Sequence, residues 1–179
     1  MADLVLTFVD EVIEVRKEKH GGRRGAPYVR DDGSREGQAL NRAAIALLSA
    51  TLQTFCEDVF FETSRAVLNM TDQQLEDYRS LYDRWGNPGS GNIKTHFRRL
   101  GIPDVIDGLS WQKSSSETIK RKLDDLNQLR NGIAHGREQL VIRGSNVSLS
   151  LAIVINYRNF VDQFGRRFQA HVNLKAGVP

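Results

Sequence analysis

Ile45, Leu48, Leu52, Phe55 and Val59 recur at spacings of three, four, three and four. On an α-helix that rhythm gathers five large apolar side chains onto one stripe, and only packing against other elements removes the stripe from water. The segment that carries it, from Glu36 to Leu68, contains no proline. It therefore predicts a central core helix, and the rest of the chain has to be arranged to cover it. The four prolines, at positions 27, 88, 103 and 179, all fall between or beyond periodic segments. The expected fold class is all-α.

Further helices follow from the same periodicity. Leu4, Phe8, Val12 and Val15 predict an apolar face on a helix over 3–19, which closes in the basic cluster Arg16, Lys17, Lys19 where the helix dipole is negative. Residues 20–36, with their glycines, proline and arginines, predict a loop. Thr71 is placed as the N-cap of a helix over 72–84, and Asn92 as the cap of a short helix ending at Leu100-Gly101. Pro103 is expected to open another short helical piece through Leu109. Ser116 is the expected N-cap of a helix running to His135 and stopping at Gly136. Residues 140–149 suggest a small β-hairpin with its turn at Gly144-Ser145-Asn146. A last helix, over 150–172, carries Ile153, Tyr157, Phe160, Phe164 and Phe168. With 179 residues, the chain is expected to form a single domain over 1–179.

Composition excludes several classes. Apolar residues are 40% and charged residues 26%, as in globular domains rather than disordered ones. A lone cysteine, Cys56, leaves no internal disulfide framework and no multi-cysteine zinc site within one chain. It lies within the apolar stripe and reads as a buried structural thiol. The longest purely apolar run is Leu151 to Ile155, and the N-terminal stretch has no cleavable signal pattern, so no membrane partner and a cytoplasmic location are expected. The net charge of +3 permits an anionic partner without requiring one. His20, His96 and His171 show no ligand spacing, so no metal site and no cofactor are assigned.

Three features bear on chemistry. Gly86-Asn-Pro-Gly-Ser-Gly91-Asn-Ile-Lys94-Thr95 has the look of a phosphate-binding loop, but its lysine does not directly follow the last glycine and no buried strand precedes it. A surface loop entering a helix is the better reading. The runs Arg98-Arg99, Lys120-Arg121-Lys122 and Arg166-Arg167 read as solvated faces, which with Arg23, Arg24 and Arg30 would make a basic surface if they converged. The segment that stands apart is Arg130-Asn131-Gly132-Ile133-Ala134-His135-Gly136. With Ile119 set at zero on a helical wheel, Leu123, Leu126, Leu129 and Ile133 fall at about 40°, 340°, 280° and 320°, and Arg130 at about 20° lands among them. A guanidinium on an apolar stripe has to be paired or to open into a cleft. Asn131 and His135, four residues apart, share another face, and His135 stands in the last turn, where the helix dipole favours its protonated form. A histidine near an arginine and an amide is a plausible proton-transfer group. Equally, the pair reads as an arginine snorkelling out of the core and a histidine capping helix carbonyls.

Arg130-Asn131-Gly132-Ile133-Ala134-His135 resembles the Arg-x4-6-His motif of the HEPN superfamily, the higher eukaryotes and prokaryotes nucleotide-binding domains. Gly136 and the long segment from Asn41 to Glu57 are similar to the RiboL-PSP-HEPN branch, and the likeness spans roughly residues 36–172. The resemblance implies a bundle with long antiparallel helices that forms a homodimer, bringing two such motifs into one cleft. It implies a metal-independent endoribonuclease of toxin–antitoxin or antiviral defence systems, with RNA as substrate and an antitoxin or regulatory protein as a possible further partner. In that frame His135 is the acid or base, Arg130 covers the phosphorane charge, Asn131 holds the phosphate or orients His135, and Glu57 pairs with Arg130. Some members have lost catalysis, and the alternative is an inactive module that binds RNA, a nucleotide or a protein partner. A purely structural interaction bundle is the second alternative.

Overall fold

The computed structural model describes residues 2–21, 28–31, 33, 35–81 and 85–178. Among them are helices α1 (Thr7–His20), α2 (Gln38–Val67), α3 (Asp72–Ser80), α4 (Ser90–Arg98), α5 (Ser116–Ala134) and α6 (Leu151–Ala176). Between α5 and α6 stand two short antiparallel strands, β1 (Leu140–Ile142) and β2 (Ser145–Val147). Arg23, Arg24, Pro27 and residues 82–84, the expected end of the α3 helix, lie outside the described residues.

The predicted stripe is the axis of the fold. Ile45, Leu48, Leu52, Phe55 and Val59 are all buried, and α2 packs against α1, α5 and α6. Pairings along α2 fix the helix directions. Arg16, near the end of α1, lies against Gly37 at the start of α2, and Arg42 bonds to the chain just after α5. Asn41 bonds to Leu149 just before α6, while Glu62 meets Gln169 far along it. So α2 runs antiparallel to α1 and α5 and parallel to α6. One end of the bundle thereby collects the last turn of α1, the first turn of α2, the last turn of α5 and the hairpin. Among the described residues only α2 is long and apolar enough to cross a bilayer, and over half of its most apolar stretch is buried within the domain, as expected of a core helix.

Phe60 organises a second part of the core. Its ring meets those of Phe61, Trp85, His96 and Phe97. His96 stacks on Trp85 at 3.8 Å and its Nε2 donates to the Trp85 carbonyl at 2.9 Å. Burial, the largest influence, holds the His96 ring below the usual histidine range. This cluster anchors the segment 85–89, which crosses over α5.

Several local expectations are corrected. On α1 the buried face is Leu6, Val9 and Ile13, whereas Phe8 is 65% exposed and Val15 also faces solvent. Leu4 and Val12 of the expected face are partly buried against the core, so the buried face is shifted from the expected one rather than opposite to it. Ser115, not Ser116, caps α5 by accepting from the Thr118 N–H. Thr71 caps α3 as expected, in a capping box with Gln74. Asn92 does not cap; its amide donates to the Trp85 and Asn87 carbonyls. Residues after Pro103 form turns rather than a helix. The hairpin turn is Arg143-Gly144, with φ of 48° and 78°, the left-handed pair that matches strand twist. Ser150 accepts from the Ile153 N–H and starts α6.

Candidate functional site

The last turn of α5 presents the residues singled out in the sequence. Arg130 and Asn131 are half-buried and His135 is exposed. The helix stops because His135 leaves helical geometry and Gly136 takes φ of 66°, a conformation that suits glycine. The backbone N–H of His135 still donates to the Asn131 carbonyl at 3.0 Å. The imidazole therefore projects from a fixed point while remaining open to solvent.

Asn131 is the centre of the polar contacts. Its Oδ1 accepts from Asn87 Nδ2 at 2.7 Å and from Arg130 Nη1 at 3.4 Å. Asn87 is itself held, since its carbonyl accepts from Asn92. The segment 85–89 thus sets the Asn131 amide, and the amide steers Arg130. Gly132, one residue on, is buried, and a Cβ there would come within 2.9 Å of Leu140 of β1, so the hairpin seats directly on the motif helix.

Beyond the helix the chain is clamped. Arg42 Nη1 donates to the Arg137 carbonyl at 2.8 Å and Nη2 to the Glu138 carbonyl at 2.5 Å. Its neighbour Asn41 donates to the Leu149 carbonyl at 2.8 Å. Two consecutive residues of α2 hold both exits of the hairpin, and with them the position of His135. Neither was singled out in the sequence. The signal was present, because Asn41 lies four residues before Ile45 and extends the core stripe with a polar side chain.

Glu57 stands apart from this group. Its carboxylate accepts from Gln53 at 3.4 Å, and its charged surroundings are Asp58 and Arg79. Burial, more than any neighbour, pushes its pKa up. Among the described residues no ion pair joins Glu57 to Arg130 within one chain. Cys56 is fully buried, and burial followed by the Glu57 charge raises its thiol well above the ordinary range. That suits a structural thiol rather than a nucleophile.

The loop with a phosphate-binding look is otherwise employed. The first N–H of α4, from Ser90, donates to Asp124 Oδ1 at 2.8 Å, and the Ser90 hydroxyl to Asp124 Oδ2 at 2.8 Å. A carboxylate of the protein already occupies the helix N-terminus, and Lys94 pairs with Asp104 at 3.4 Å. Two of the basic runs are likewise engaged in part. Lys120 pairs with Asp104, Arg166 with Asp162, Lys122 lies over Phe160, and Arg167 lies over Trp111.

Chemically, the end of α5 offers a solvent-facing imidazole, a guanidinium with an amide but no carboxylate among the described residues, and a rigid polar frame. Among the described residues the side-chain hydrogen bond of Arg130 goes to Asn131 and not to His135. No curated protein and no solved structure matches the chain. A family model described as RiboL-PSP-HEPN matches residues 14–173.

Proposed function

The chain belongs to the RiboL-PSP-HEPN family, and from that membership we propose that it is a metal-independent endoribonuclease whose site is completed in a homodimer. One observation carries the reading. The exposed His135 and the half-buried Arg130 flank Asn131 at the end of α5, held there by Asn87 and Arg42. The two side chains leave the helix on different faces, which favours a two-fold arrangement where the arginine of one chain works with the histidine of the other.

In this scheme the substrate supplies the nucleophile. The 2′-oxygen bonds to the adjacent phosphorus and the bond from phosphorus to the 5′-oxygen breaks. A neutral His135 takes the proton of the 2′-hydroxyl, and a protonated imidazole returns one to the leaving 5′-oxygen. Arg130 lies over the phosphorane oxygens, where a fixed guanidinium is strongest. The products are a 2′,3′-cyclic phosphate and a 5′-hydroxyl. A toxin or defence role, restrained by an antitoxin or regulatory protein, accords with this activity. Glu57 is assigned no pairing with Arg130 here.

The test is cleavage of a labelled RNA with single-stranded and hairpin regions, in EDTA, beside His135→Ala. Wild type is expected to leave cyclic-phosphate ends. The variant is expected to lose about 10²-fold or more with an unchanged melting temperature, since His135 is exposed at the helix end. A variant that cleaves as wild type removes His135 from the mechanism. Failure of both proteins to cleave favours the inactive binding module.

A further inference from the structure

At the end of the bundle that holds the hairpin lies a cavity of about 450 Å³. Arg16, Arg35, Gln38, Asn41 and Arg42 line one side, and Leu140, Leu149 and Leu151 are among the apolar residues of the other. Arg16 is only 3% exposed, and its Nε and Nη1 have no hydrogen-bond partner. Its guanidinium lies flat on Gly37; a Cβ there would come within 2.2 Å of Nε. Gly37 is the N-cap of α2 and supplies no side-chain cap. A buried, unpaired cation thus sits at the positive end of a long helix dipole, an arrangement that repels itself.

The surroundings do not relieve it. Among the described residues none of Arg16, Arg35 and Arg42 makes an ion pair, although six other basic residues of the helices and the hairpin do so with aspartates. Glu36 and Glu138 also line the cavity without pairing to these arginines. An adjoining hollow of about 630 Å³ adds Lys19 and Arg30 and reaches Gly136. The Asn41 amide is fixed by its bond to Leu149, and that leaves its Oδ1 buried and without a donor.

We propose that this cavity binds a phosphate-bearing small ligand, with Arg16 as the charge that holds its oxyanion. Arg16 supplies a planar fork suited to phosphate oxygens, and the N-terminus of α2 adds the attraction usual at such sites. Asn41 Oδ1 offers an acceptor for an N–H or O–H of the ligand's body, which the leucine side of the cavity covers. The volume falls among those of small-molecule sites and exceeds what a bare phosphate needs. The site does not depend on the ribonuclease reading, and Arg130 and His135 are not part of it.

The experiment measures binding by calorimetry and melting temperature, with adenosine 5′-monophosphate, adenosine, inorganic phosphate and a 5′-phosphorylated tetranucleotide as probes. The monophosphate is expected to bind about tenfold or more tighter than adenosine and to raise the melting temperature of wild type. Arg16→Gln should lose about tenfold or more of that affinity, while His135→Ala should bind as wild type. Without ligand, Arg16→Met should melt above wild type, because it removes an unpaired buried charge. A preference for the monophosphate over the tetranucleotide assigns the phosphate to a free nucleotide, and the reverse assigns it to an RNA end; both support the site. No response to any phosphate probe overturns the proposal. So does Arg16→Gln binding with wild-type affinity, or a ligand-free Arg16→Met that melts below wild type.

Discussion

Arg16 on α1 and Arg130 on α5 both turn inward from helices that cover α2, and the protein treats them differently. Arg130 remains half-buried, meets an amide, and points toward a helix end that opens to solvent. Arg16 is sealed against Gly37, the N-cap of α2, with two nitrogens unmatched. The first is a charge kept accessible, as a group that meets a transient oxyanion has to be. The second is a charge stored in a closed wall, tolerable only where something of opposite sign arrives. The two guanidinia differ in environment, and the roles proposed for them differ accordingly.

The sharpest way to break this contrast is Arg130→Ala. Loss of a cation over the phosphorane is expected to lower cleavage about 10²–10³-fold with a modest change in melting temperature, and sedimentation of the variant separates a lost dimer from a lost charge. An unchanged cleavage rate would put Arg130 among structural arginines. Next comes the face of α1 that positions Arg16. Ile13→Ala should cost about 2–5 kcal/mol in chemical denaturation, whereas Phe8→Ser should stay within about 0.5 kcal/mol. Equal losses would mean that the exposed stripe is covered in solution.

Arg42→Ala tests the clamp between the two regions. It releases two carbonyls after α5 and should lower stability by about 1–2 kcal/mol, with faster amide exchange at residues 136–139. The smallest effect is at Glu57, a glutamate removed from Arg130. Its folded pKa is raised, so the folded state favours the neutral acid and this group's contribution declines as pH rises through its unfolded and then its folded pKa. Glu57→Gln should therefore melt slightly above wild type at neutral pH, and the gain should vanish below the ordinary glutamate range. A loss of stability at neutral pH would show that the ionised carboxylate is held by a partner.

Some of this was legible before any coordinates. The stripe on α2, Ile45, Leu48, Leu52, Phe55 and Val59, is regular, and it is buried in full. Arg130 was visible because α5 has a single narrow stripe, against which one charge stands out. On α1 the same reasoning held only in part. Leu4 and Val12 pack partly buried against the core, but Phe8 and Val15 face solvent and Leu6, Val9 and Ile13 take the buried centre, so Arg16 read as part of a basic helix end. The Asn92 expectation failed because α4 starts earlier, at Ser90, and the Asn92 amide donates to the Trp85 and Asn87 carbonyls; after Pro103 the chain forms turns, with Asp104 accepting from the Ile106 N–H and pairing with Lys120.

By itself the sequence determined the helical class, the core helix, the hairpin and the residues at the end of α5, because periodicity and capping are local and each residue carries its own signal. The tertiary structure decided which stripe of α1 faces inward, that Asn87 and Arg42 frame the motif, that Asp124 fills the N-terminus of α4, and that Arg16 meets Gly37 unpaired. Those depend on which elements come to lie together, and a charge is paired or orphaned only by neighbours that may be distant along the chain.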